Sequence, residues 1–152
     1  MDFATAAAQF CSVVERADVS QRGQWLADIE VALAELYAAA VRLPPFGDED
    51  VLTTSRMSTD EWAGLFSSLR AKIGSEDAYS FADPTGESTM ICSIADDLAE
   101  IYQEVRQGLD AIHSGEPPEA ILSAWELGFE IHWGAHAIGA LAALRSLMRP
   151  DD

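Results

Sequence analysis

The run SIADDLAEIYQEVRQGLDAIHS, residues 93–114, decides the fold class. Ile94, Leu98, Ile101, Val105, Leu109 and Ile112 recur in it at spacings of 4, 3, 4, 4 and 3. Residues three or four apart share one face of a helix, so this is an amphipathic helix with a seam close to that of a coiled coil. Ser93 stands where an N-cap hydroxyl can accept from the first-turn backbone, with Asp96 at the third helical position. Ser114-Gly115 ends the run.

The chain downstream is also helical. Pro117-Pro118 opens it, because proline is tolerated at a first helical position. The apolar pattern then continues to Met148, before Pro150, as one long C-terminal helix. Gly128, Gly134 and Gly139 lie inside it, each at a cost of about 1 kcal/mol against alanine. Small residues let another helix come close, and the sequence allows a kink near Gly134. Leu122, Trp125, Phe129, His136, Ala143 and Leu147 form one apolar face, with His132 at its edge. Leu127, Ile131, Ile138 and Leu141 form an opposite one. A helix apolar on both sides is either central to a bundle or paired across a homodimer.

Three helices are expected upstream. The first runs over residues 2–17, capped by Asp2, with Phe3, Ala7, Phe10 and Val14 on one face. The second runs over 20–43 and stops before Pro44-Pro45, with Trp25, Ile29, Leu33, Leu36 and Ala40 as its stripe. Residues 44–58 read as a loop that contains Asp48-Glu49-Asp50. Ser58-Thr59-Asp60-Glu61 has the capping-box pattern, which starts a third helix that ends at Gly74. It buries Trp62, Leu65, Phe66 and Leu69. Residues 75–92 are a long connection of the kind that often carries function. Tyr79 and Phe81 alternate there, which marks a short extended segment. The expected fold is all-α: a single domain over 1–152, built as a compact bundle of about five helices.

Charge narrows the function classes. The chain has 26 acidic and 9 basic residues and a formal charge of −17. Lys72 is its one lysine. Between Lys72 and Arg145 there are 13 acidic residues and a single Arg, Arg106. Nucleic acid and anionic membranes need clustered positive charge and are not expected partners. Cys11 and Cys92 have no metal-type spacing and fit a reducing compartment. The start lacks a basic signal-peptide region, and the longest uncharged run, 131–144, is too short to span a bilayer. The cytoplasm is the expected location.

The candidate site residues are few. His132 and His136 lie one turn apart on a helix, as in zinc proteases, but Trp133 stands where the general-base Glu would be. Asp97, Glu100 and Glu104 lie along a ridge of the preceding helix, at the edge of its seam. Asp97 and Glu104 there can accept hydrogen bonds from the imidazoles, or share a metal with them. Tyr37, Glu30 and Tyr102 complete a candidate polar cluster inside the bundle. The paired Glu-x-x-His motifs of di-iron bundles, phosphate-binding glycine loops and nucleophile elbows are all missing.

Three segments carry a family resemblance. They are Leu36-Tyr37-Ala-Ala-Ala-Val-Arg-Leu43-Pro44, Ser93-Ile-Ala-Asp96-Asp97-Leu-Ala-Glu-Ile-Tyr102, and Trp125-x3-Phe129-x2-His132-Trp133-Gly134-x-His136. With Phe3 and Phe10, they resemble the bacterial family described as domain of unknown function 5063. The resemblance implies a compact helical domain and supplies no activity.

The expectation from sequence is a non-catalytic module that binds a protein partner through its acidic C-terminal half, a basic toxin or regulator being the sharper version. No cofactor is expected and no catalytic residue is assigned. The alternative is a metal-dependent or acid–base enzyme built on His132, His136, Asp97 and Glu104, whose metal ligands would be His132, His136 and Asp97. A third possibility is mimicry of nucleic acid by the acidic surface.

Overall fold

The computed structural model describes residues 1–45 and 56–149. Asp48-Glu49-Asp50 lie outside the described residues. The elements are α1 (Phe3–Val14), α2 (Arg22–Ala40), α3 (Thr59–Ile73), β1 (Ala78–Ala82), β2 (Thr89–Ser93), α4 (Ile94–His113), α5 (Pro118–Gly128) and α6 (Gly134–Leu147). Five residues in a π turn, Phe129–Trp133, join α5 to α6. The fold is a helical bundle with one small hairpin.

Local chemistry sets most boundaries. The Asp2 carboxylate accepts from the Thr5 amide at 2.8 Å. Ser58 and Glu61 form a reciprocal capping box at the start of α3. Ser93 caps α4 by accepting from the Asp96 amide at 3.1 Å. Such a cap supplies a partner to a backbone donor that the helix itself leaves free, worth about 1 kcal/mol. The lone lysine serves the same purpose at a carboxyl end. The Lys72 ammonium donates to the carbonyls of Val14 (3.2 Å) and Arg16 (2.6 Å), closing α1.

Helix α4 is the centre of the bundle. It packs against α1, α3, α5 and α6, and Ile94, Leu98, Ile101, Val105 and Leu109 are buried. Helix α2 lies against α1 and α6. Phe10, Trp25, Leu33, Leu36 and Leu69 are also fully buried. Each such side chain contributes at most about 1.5–3 kcal/mol by leaving water.

The long C-terminal helix departs from the expected register. It is continuous but not α-helical throughout. The π turn closes with the Gly134 N–H donating to the Phe129 carbonyl. A β-carbon on Gly134 would sit 2.5 Å from that carbonyl oxygen, so the turn closes on a residue without one. The inserted residue shifts the later core positions, although Ala143 stays buried. The buried apolar side chains are Ile121, Trp125, Trp133, Ala137, Ala140, Ala143 and Leu144. The straight-helix reading had placed His136 and Leu147 in that face; both are only half-buried. The kink allowed at Gly134 is thus this π turn. The other face stays open, with Ile131 74% and Ile138 45% exposed. It is α4, and not the C-terminal helix, that the other helices surround.

Residues 75–92 form more structure than a connection. Strands β1 and β2 pair antiparallel, from Ala78 opposite Ser93 to Ala82 opposite Thr89. Asp77 locks the hairpin to α4. Its carboxylate accepts from the Ser93 hydroxyl at 2.6 Å and from the Ala95 amide at 2.7 Å.

Candidate functional site

The α4 carboxylates and the two imidazoles meet in a row along the helix pair. His132 donates from Nδ1 to Glu104 Oε1 at 2.6 Å, and His136 donates from Nδ1 to Asp97 Oδ1 at 2.7 Å. The two rings are 4.9 Å apart and nearly perpendicular. The His132 Nε2 lies 4.0 Å from a Glu100 oxygen. An ionised carboxylate only accepts, so each imidazole carries a proton on Nδ1.

The register slip explains this placement. Trp133 takes the core position, and the imidazoles on either side of it rotate to the edge. Their side chains are 36% (His132) and 27% (His136) exposed. They face neither the apolar core nor open water, but the margin of α4.

Asp97 is the buried anchor of the row, at 3% exposure. Its second oxygen accepts from the Tyr79 hydroxyl of β1 at 2.6 Å. Tyr79, Asp97 and His136 thus form a hydrogen-bonded chain from the hairpin to α6. Burial first, then the bond to Asp97, pushes the Tyr79 phenol well above its usual range. The bond to Asp97 raises the His136 imidazole above its ordinary value, against the opposing effect of burial. Burial and the adjacent Asp97 charge hold Asp96 above the usual carboxylate range.

Glycines make room for this network. A β-carbon at Gly139 would come 2.2 Å from the Tyr79 hydroxyl oxygen, and one at Gly128 2.4 Å from a Glu104 oxygen. Gly139→Ala is expected to destabilise the protein by about 1–2 kcal/mol in urea unfolding, because overpacking outweighs alanine's helix propensity. The cost should shrink in a Tyr79→Phe background, where the oxygen is gone. An equal cost in both backgrounds would break the link between Gly139 and Tyr79.

The other candidate residues lie elsewhere. The Tyr102 hydroxyl donates to Glu15 at the end of α1 at 2.7 Å, beside Arg106. Glu30 pairs with Arg145 at 2.6 Å. The Tyr37 ring stands edge-on to Phe129, with centroids 5.2 Å apart. The expected cluster therefore separates: Asp97, Glu104, His132 and His136 come together, while Tyr37, Tyr102 and Glu30 do not join them. Tyr79, which does, was marked in the sequence only by its alternation with Phe81.

Among the described residues, Asp96, Asp97 and His136 can bring one ligand atom each within 4.8 Å of the others. His132 is not in that group. A cation there would share the Asp97 oxygens with Tyr79 and His136, since each already accepts one hydrogen bond.

His136, Asp96 and Asp97 line one end of an open cavity of about 600 Å³ between the hairpin, α3, α4 and α6. Phe66, Phe81 and Met90 form its apolar wall. The volume falls within the range of small-molecule sites.

No helix among the described residues is long and apolar enough to cross a membrane. No curated protein matches the chain. The crystal structure of protein BF1032 from Bacteroides fragilis shares the fold at 24% identity, with a TM-score of 0.83 over 99% of this chain and 92% of that one. Residues 1–149 match the family described as domain of unknown function (DUF5063), and the chain belongs to that family.

Proposed function

We propose that the protein binds a small organic molecule in the cavity beside the hairpin and that His136 exchanges a proton with it. One observation carries this reading. Asp97 holds His136 by Nδ1 and is itself held by Tyr79; the imidazole lines the cavity, and its Nε2 has no hydrogen bond among the described residues. A carboxylate that orients an imidazole and stabilises its protonated form is the arrangement used in general acid–base catalysis. Among the described residues, no serine, threonine or cysteine side chain hydrogen-bonds to His136. The imidazole is thus available to the bound molecule rather than to a nucleophile of the chain.

The test is the state of the ring. Nitrogen NMR above the titration midpoint should find His136 protonated on Nδ1, the minor form of free histidine, and a small-molecule screen should shift its ring signals. An Nε2-protonated ring would remove the proposal.

The net charge of −17 favours a second reading, the capture of a basic protein partner. That association should weaken steeply between low and physiological salt, since exposed charges are screened within about 10 Å at 0.1 M. Salt-insensitive binding would exclude it.

A further inference from the structure

Two charges of opposite sign stand unpaired on the wall of the cavity. Arg70, in the last turn of α3, and Asp96, in the first turn of α4, both line it. Neither side chain has a hydrogen bond or ion pair among the described residues. Arg16, Arg22, Arg106 and Arg145 pair with carboxylates, whereas Arg42, Arg149 and Arg70 form no ion pair among the described residues; of these three it is Arg70 that lines the cavity.

The other carboxylates of the cavity are already satisfied. Asp97 accepts from His136 and Tyr79, and Asp77 accepts from Ser93 and the start of α4. What remains open to a ligand is one cation, one anion and the apolar side chains between strand and helix. Met90 of β2, paired with Phe81 on the cavity face of the hairpin, is 57% exposed. A neutral or purely apolar molecule would leave both charges unused. A simple anion would meet Asp96, and a simple cation would meet Arg70.

We infer that the cavity takes a zwitterion with an apolar body, of the class of an apolar amino acid or dipeptide, with its carboxylate at Arg70 and its ammonium at Asp96 beside His136. This rests on the proposal that the cavity is the working face of His136. It adds the ligand's chemistry and a role for the adjacent imidazole as acceptor of the ammonium proton. Arginine suits the carboxylate end, because its fork of N–H donors matches the two oxygens.

The probes are L-leucine and L-leucyl-L-leucine, with their N-acetylated and C-amidated forms, titrated into the full chain by calorimetry and by NMR of the His136 ring. At least one zwitterion should bind and shift the ring signals, and the two lengths decide between amino acid and dipeptide. Acetylation and amidation should each weaken binding at least tenfold. Arg70→Gln should abolish the penalty for amidation, and Asp96→Asn the penalty for acetylation. Neither side chain supports the core, so both variants should fold.

Equal affinity for blocked and free forms overturns the inference, as does the failure of both zwitterions to bind. A neutral compound that shifts His136 when the zwitterions do not would overturn it and leave the proton-transfer proposal standing. An Nε2-protonated ring would remove that proposal itself.

Discussion

Trp133→Ala is expected to lower stability by about 3–5 kcal/mol, the range for emptying a large aromatic site in a core. Trp133 is fully buried, stands edge-on to Phe129 at 4.9 Å, and lies 6.1 Å from Phe3. Those contacts join the π turn to α1, so the loss reaches across the bundle. Its indole N–H finds no acceptor among the described residues. Trp133→Phe removes that unpaired donor along with part of the ring, and should cost well under half as much.

The control is Ile131→Ala, two residues away and 74% exposed, which should change stability by no more than about 0.5 kcal/mol. Urea unfolding measures all three variants. The comparison tests the packing of this segment. In an unbroken 3.6-residue helix, His132 and Trp133 would flank the Trp125–Phe129 face about equally, and His136 would lie at its centre. A small effect at Trp133 would mean that the indole is not buried against Phe3 and Phe129.

Asp97→Asn should be the most damaging substitution in the site, at about 3 kcal/mol or more, because it breaks a buried charged pair. Asp97 accepts two hydrogen bonds, from groups that can only donate to it. An asparagine side chain keeps one acceptor, so one of the two bonds must break or reverse, with the Tyr79 hydroxyl accepting from the amide or the imidazole changing tautomer. The His136 midpoint should fall, since the bond to Asp97 is the first cause of its elevation.

The sign of the pH dependence follows. The imidazole's folded value lies above its ordinary 6.5. Its contribution to stability is therefore complete below pH 6.5 and is lost as pH rises through the folded value. The gap between the native protein and Asp97→Asn should be wider at pH 6 than at pH 9, by unfolding at each pH. Ring titration by NMR gives the midpoints. An unchanged midpoint in the variant would show that Asp97 does not govern the imidazole.

Much of this molecule is visible in local chemistry. The apolar spacing of residues 94–112 marks α4 as a buried-faced helix, and the structure buries that seam except for the half-buried Ile112. Asp2, Ser58 and Ser93 announce helix starts through side chains that reach only three residues, and all three act as caps. The meeting of His132 and His136 with Glu104 and Asp97 was also legible, since each pair lies along one ridge of its own helix. The expectation that His136 lies within the apolar face was not met, because it assumed one period throughout.

What the amino-acid order determined by itself is whatever depends on neighbours within a turn or two: the helices, their caps, the two histidines on one ridge, and the acidic excess. Only the tertiary structure decided that Trp133 and not His132 enters the core. Residues 129–133 can wind as α or π, and the choice belongs to the cavity among Phe3, Phe129 and α4 that an indole fills better than an imidazole. The same holds for Tyr79, Arg70 and Asp96, which are distant along the chain. Their proximity follows from hairpin docking, a long-range packing event that no local period encodes.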